Sequence, residues 1–237
     1  MNKINVSAVS YTNTKPFVYG LTHSKIITKI NLSLDTPAEC AAKIIDDQAD
    51  IGLVPVASLI RIPGYKIISN YCIGATGSVN SVFIFSNKPI EKIKSITLDS
   101  QSLTSNSLAL VLIKNYWKIK PKIVDRDADA FVLIGDRTFG KKEDYKYWYD
   151  LAEEWFNFTS LPFAFAVWIS KKNLNDKFIK EFNESLKLGL ENRLEAIKNQ
   201  TIVNFDLEDY LLYKLDYNLD DKKFLAINKF LALLQDL

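Results

Sequence analysis

A chain of 237 residues, 48% hydrophobic and 24% charged, has the composition of an ordinary globular protein with enough length for one large domain or two small ones. Its 30 basic and 28 acidic residues are spread along the chain and leave a net charge of +2, which argues against nucleic acid or an anionic membrane as partner, since both need a concentrated basic face. No apolar run approaches the roughly 20 residues of a membrane span, no apolar signal core follows Met1-Asn2-Lys3, and the single histidine, His23, argues against a nitrogen- or sulfur-rich metal site, so a cytoplasmic protein without metal or cofactor is expected.

The first strand is read at 4–9, where apolar and polar residues alternate. It runs into Ser10-Tyr11-Thr12-Asn13-Thr14-Lys15-Pro16-Phe17, a turn denser in hydroxyls, amide and amine than a strand-to-helix connection needs. Pro16 and Phe17 start and pack the first helix, while Ser10, Asn13 and Thr14 are expected to face the other way. Residues 36–48 form a helix with Thr36 as N-cap, Pro37 in the first turn and Glu39 completing a capping box. A buried strand follows within 49–60 and gives way to a loop at Pro55; two more strands are read at 66–75 and 81–89. Cys40 and Cys72 are expected as buried free thiols rather than a disulfide. Strand, helix and strand in this order indicate a parallel α/β sheet.

A second such unit begins at 96–99, passes through a polar loop and enters an apolar helix at 107–117. Strands at 122–125 and 129–136, a helix at 150–159 and a buried strand at 161–170 come next, and from about 174 the spacing is helical to the end. Strands are expected to carry the chain between two lobes, out near 82–88 and back near 162–170. Residues 1–86 with 168–237 then form one lobe and 87–167 the other, with a ligand crevice between them.

Four polar clusters fall at strand ends and can meet in that crevice: 10–16, 55–58, 77–81 and 102–106. In the last, hydroxyls and free N–H groups suit a carboxylate, or Thr104 or Ser105 simply caps the helix. Around 77–81, glycine allows close approach of a ligand to the backbone, or Gly77, Ser78 and Ser81 form a plain exposed turn. Asp99, Asp125 and Asp136 end strands and are read as turn-fixing, and His23 as a surface residue. There is no nucleophile elbow, P-loop, dinucleotide fingerprint or paired-carboxylate motif. The aromatic run at 145–158 is read as core and interlobe packing rather than a stacking platform for bases. What remains is a site of amides, hydroxyls and backbone N–H groups, suited to holding an anion or steering an easy elimination.

Several segments together resemble the chorismate dehydratase family of the futalosine route to menaquinone. They are VSYTNTKPF (9–17), ADIGLVPVASL (49–59), GSVNSVFIFSNKPI (77–90), LDSQSLTSNSLAL (98–110), DAFVLIGD (129–136) and DLAEEWFNFTSLPFAFAVW (150–168), in family order. The resemblance implies a two-lobed α/β fold like the type II periplasmic binding proteins. It also implies conversion of chorismate to 3-[(1-carboxyvinyl)oxy]benzoate and water; with no histidine available, the substrate's own enolpyruvyl carboxylate is the expected base. By motif, Asn13 and Ser81 are the expected catalytic groups. Ser10, Thr14, Val56, Ala57, Ser58, Thr104, Ser105 and Asn106 are the expected substrate contacts.

The sequence departs from the family pattern at Leu103, where the family carries an arginine; Lys15 or Arg137 is the candidate replacement cation. Ala152 and Ser160 stand where the family has glycines. A sibling enzyme, 1,4-dihydroxy-6-naphthoate synthase, carries a catalytic histidine at the position of Gly135 and is the alternative, together with a non-catalytic cytosolic protein that binds small anions.

Overall fold

The computed structural model describes residues 3–237, so Met1 and Asn2 of the expected first lobe lie outside the described residues. In chain order the elements are β1 (Ile4–Val9), α1 (Lys15–Thr22), β2 (Ile30–Asp35), α2 (Pro37–Ile45), β3 (Ile51–Pro55) and β4 (Lys66–Ala75). Then come β5 (Val82–Ser86), β6 (Ser95–Thr97), α3 (Leu103–Asn115), β7 (Lys122–Ile123), β8 (Ala130–Ile134), β9 (Tyr147–Asp150) and α4 (Leu151–Thr159). The chain closes with β10 (Phe163–Ser170), α5 (Asp176–Glu191), α6 (Leu207–Asp209) and α7 (Asp221–Gln235), and a π-helical turn, Tyr210–Lys214, continues α6.

Two five-stranded sheets result, β2-β1-β3-β10-β4 and β7-β6-β8-β5-β9. Each is mixed rather than parallel: β10 runs antiparallel to β3 and β4, and β5 antiparallel to β8 and β9. The reason is the route of the chain, which leaves one sheet for the other and returns. The expected lobe limit at 86/87 falls at the end of β5, and the one at 167/168 falls inside β10. β5 lies wholly in the second sheet and β10 wholly in the first, so the chain crosses at 76–81 and 160–162. Every residue of β5 and β10 is buried, and a strand covered on both faces carries no sequence mark of the sheet it joins.

Two strands escaped the sequence reading. β2 pairs in parallel along β1, and β9, hidden in the aromatic run, pairs with β5 at the sheet edge. The aromatic run does pack between lobes: Trp155 on α4 is fully buried and meets Phe163 of β10 and Phe230 of α7 edge-on, with ring centroids 5.4 and 6.1 Å apart. Trp148 is 41% exposed instead, beneath the ammonium of Lys142. Cys40 and Cys72 are buried free thiols, and no described helix is long and apolar enough to cross a membrane.

Local chemistry sets the helix starts. Thr36 and Glu39 form the expected capping box on α2, each side chain accepting the other's N–H. α3 begins four residues earlier than its apolar spacing suggests, because Ser102, not Thr104 or Ser105, is the cap: its Oγ accepts the Ser105 N–H at 3.1 Å. Between α1 and α5 the backbones touch. A Cβ on Gly20 would lie 1.9 Å from the Ser185 carbonyl oxygen, and one on Gly189 would lie 1.8 Å from that of Pro16.

α4 ends on Ser160 in the left-handed conformation, φ +58°, where its N–H still bonds Phe156 O at 2.7 Å. A serine holds that backbone shape at a cost of about 1 kcal/mol relative to glycine. The glycine-to-serine departure is therefore not neutral. Ser160→Gly is expected to stabilise the protein by about 0.5–1 kcal/mol in urea unfolding; a lower midpoint would contradict the strain.

Candidate active site

The C-terminal ends of β1, β3 and β8, the N-terminus of α3 and the 76–81 crossing converge on a cavity between the sheets whose empty volume, open solvent at its mouth included, is about 570 Å³. Tyr11, Asn13 and Thr14 line it from the first lobe, Ser102, Thr104, Ser105 and Gly135 from the second, and Ser81 from the crossing. Val9, Pro55, Ile73, Phe165 and Ala166 supply apolar wall. Of the residues expected from sequence, Asn13, Thr14, Ser81, Thr104 and Ser105 are thus brought together.

The other five are placed elsewhere. Ser10 is exposed, gives its N–H to Asp35 O at 2.9 Å and lines a shallow neighbouring hollow. Val56, Ala57 and Ser58 are buried in a 3-10 helix behind the wall, and only the backbone of Ala57 reaches toward the site, donating to Thr104 Oγ1 at 3.1 Å. Asn106 is used up by the loop before α3: its Oδ1 accepts the Asp99 N–H and its Nδ2 donates to Asp99 O. His23, as expected, is exposed, stacked on Tyr19.

No lining side chain carries a formal charge. Neither candidate replacement for the family arginine fills the gap. Arg137 gives Nη2 to both carboxylate oxygens of Asp99, at 2.8 and 2.7 Å. Lys15 lines the neighbouring hollow, where burial lowers its pKa and Asp136 pulls the other way. Positive potential inside the cavity comes from α3, whose first N–H groups, at Leu103 and Thr104, have no intrahelical acceptor. Ser102 donates to Ser105 Oγ at 2.9 Å, which leaves the Ser105 hydroxyl hydrogen for a ligand.

The lobes are laced across the cavity. Tyr11 OH donates to Gln101 Oε1 at 2.7 Å, and Thr12 gives Asp136 both its hydroxyl, at 2.9 Å, and its N–H, at 3.3 Å. Asp136, read from sequence as a turn-fixing residue, is therefore an interlobe latch. Gly135 takes φ +62°, and a Cβ there would meet the Tyr11 ring at 3.4 Å.

Three functional neighbours were missed by sequence reasoning. Tyr11 stands inside the noticed motif but was passed over. Tyr217, whose hydroxyl donates to Asn13 O at 2.9 Å, and Tyr210, whose hydroxyl donates to Ser81 Oγ at 2.9 Å, come from the C-terminal segment. Burial pushes both of these phenols up from their ordinary value, so they stay protonated.

Two lobes with a mixed sheet in each, two chain crossings and a cavity between them define the periplasmic-binding-protein class of fold. Solved structures agree. Protein AF1704 of Archaeoglobus fulgidus superposes with a TM-score of 0.72 at 14% identity, over 99% of this chain and 97% of that one. The CA3427 gene product of Candida albicans, described as having the generic periplasmic binding protein fold, gives 0.69 at 12% identity over 100% and 91%. The periplasmic aliphatic sulphonate binding protein of Escherichia coli gives 0.63 at 11% over 100% and 92%. At these identities the likeness is one of fold. The model of the menaquinone biosynthesis family matches residues 4–236, and the chain belongs to that family.

If Asp136 is the latch, Asp136→Ala removes an ionised acceptor of two hydrogen bonds, each worth about 1.5–3 kcal/mol. Small-angle scattering is expected to show a larger radius of gyration for the variant. An unchanged radius would contradict the latch.

Proposed function

We propose that this protein is a chorismate dehydratase, converting chorismate to 3-[(1-carboxyvinyl)oxy]benzoate and water on the futalosine route to menaquinone. The single observation that carries this reading is a cavity between the lobes whose polar groups are an amide, hydroxyls and a helix N-terminus, with no charged side chain in its described wall. Such a set suits a reaction that needs orientation and anion stabilisation more than a protein acid or base.

Loss of the C3 proton and the C4 hydroxyl makes the ring aromatic, so the drive is large. The enolpyruvyl carboxylate takes the C3 proton, and the electron pair spreads through the ring onto the ring carboxylate. Hydroxide then leaves C4, and proton and hydroxide account for the water. In this scheme the start of α3, with Thr104 and Ser105, receives a carboxylate. Asn13 orients the substrate or its leaving hydroxyl, and Ser81 donates a hydrogen bond to the developing anion.

Gly135 separates this reading from the sibling naphthoate synthase. A histidine there would need a left-handed backbone, a conformation side-chain-bearing residues rarely adopt.

The test is incubation of purified protein with chorismate, followed by chromatography for the enolpyruvyl benzoate. Turnover supports the reading; binding without product leaves an anion-binding protein and overturns it. Asn13→Ala and Ser81→Ala are each expected to lower kcat about 100-fold or more, the loss typical of one preorganised donor. Full turnover in either variant would remove that residue from the scheme.

A further inference from the structure

Tyr210 opens the π-helical turn that continues α6 and is 1% exposed. Its ring is held edge-on by Phe139 and Phe205, each with its centroid 5.4 Å away. Its hydroxyl donates to Ser81 Oγ at 2.9 Å.

One buried hydroxyl therefore touches Ser81, a side chain to which the proposed reaction assigns chemistry, and it comes from a part of the chain about 130 residues further on. The geometry points to Tyr210 as the positioning residue of the site. A serine oxygen that accepts from Tyr210 has its own hydrogen directed elsewhere, and Ser81 lines the cavity, so the tyrosine aims the Ser81 hydrogen at the ligand. The phenol stays neutral and does not exchange protons with substrate.

This role rests on the dehydratase reading, and the experiment separates the two. Tyr210→Phe keeps the ring against the stacked Phe139 and Phe205 and removes only the hydroxyl. With chorismate as substrate, kcat is expected to fall about 10- to 100-fold with KM within about threefold, as for misaligned rather than missing groups. In a Ser81→Ala background the same change is expected to cost less than about threefold in kcat, because the main group it aims is gone. A merely structural tyrosine predicts the opposite: unchanged kcat in the folded variant, or an equal loss in both backgrounds. Either result overturns the inference while leaving the dehydratase reading intact. A wild-type protein that makes no enolpyruvyl benzoate overturns the reading itself, and the role of Tyr210 with it.

Discussion

The contact between α1 and α5 determines where the site can be. Gly20 and Gly189 let the two helices touch backbone to backbone, and Pro16, at the start of α1, is one of the contact points. With α1 pressed down, the loop that enters it, Tyr11–Thr14, has little freedom. Phe17 locks it further, meeting Trp168 and Tyr217 edge-on at 5.8 and 5.3 Å. Tyr217 then reaches Asn13 O, and Thr12 reaches Asp136 across the cleft. The loop is held from its own lobe, from the C-terminal segment and from the opposite lobe, as a site that works by orientation needs.

The C-terminal segment is tied down in turn by backbone bonds to β4, from Asp216 N to Gly74 O, from Cys72 N to Tyr217 O and from Leu219 N to Asn70 O. Lys223 is fully buried and reaches Asp216 and the Asn218 carbonyl. A buried lysine of this kind is stable only because its charge is paired and its donors are used. Removing its partner would loosen the segment that carries Tyr210 and Tyr217, so fold stability and site geometry share the same support.

Much of this was legible in the sequence, and the boundary is physical. Local rules worked where the cause is local: the Thr36–Glu39 capping box, the apolar runs of β4, β5 and β10, and the strand-end clusters holding Asn13, Ser81 and Thr104. They failed where a choice depends on distant chain. Ser10, Ser58 and Asn106 have the same polar character as Asn13 and Ser105, and only the fold decides that they bond Asp35, sit behind the wall or clamp Asp99. Tyr210 and Tyr217 stand in a segment whose spacing reads as plain amphipathic helix, so nothing local announced a hydroxyl aimed at Ser81. The replacement cation sought for Leu103 is absent from the described wall because Asp99 engages Arg137 and Lys15 points to another hollow.

The central claim is that the cavity side chains orient and stabilise but move no proton of their own. The titratable groups nearest the ligand space are Tyr11 and Tyr210, both raised above the ordinary tyrosine value, chiefly by burial. A pH profile of single-turnover chorismate conversion tests this most directly. The account predicts a rate constant that stays flat between about pH 6 and 9, since no group in the wall changes charge there. A sigmoid or bell with an inflection inside that window would show a protein acid or base at work and would contradict it.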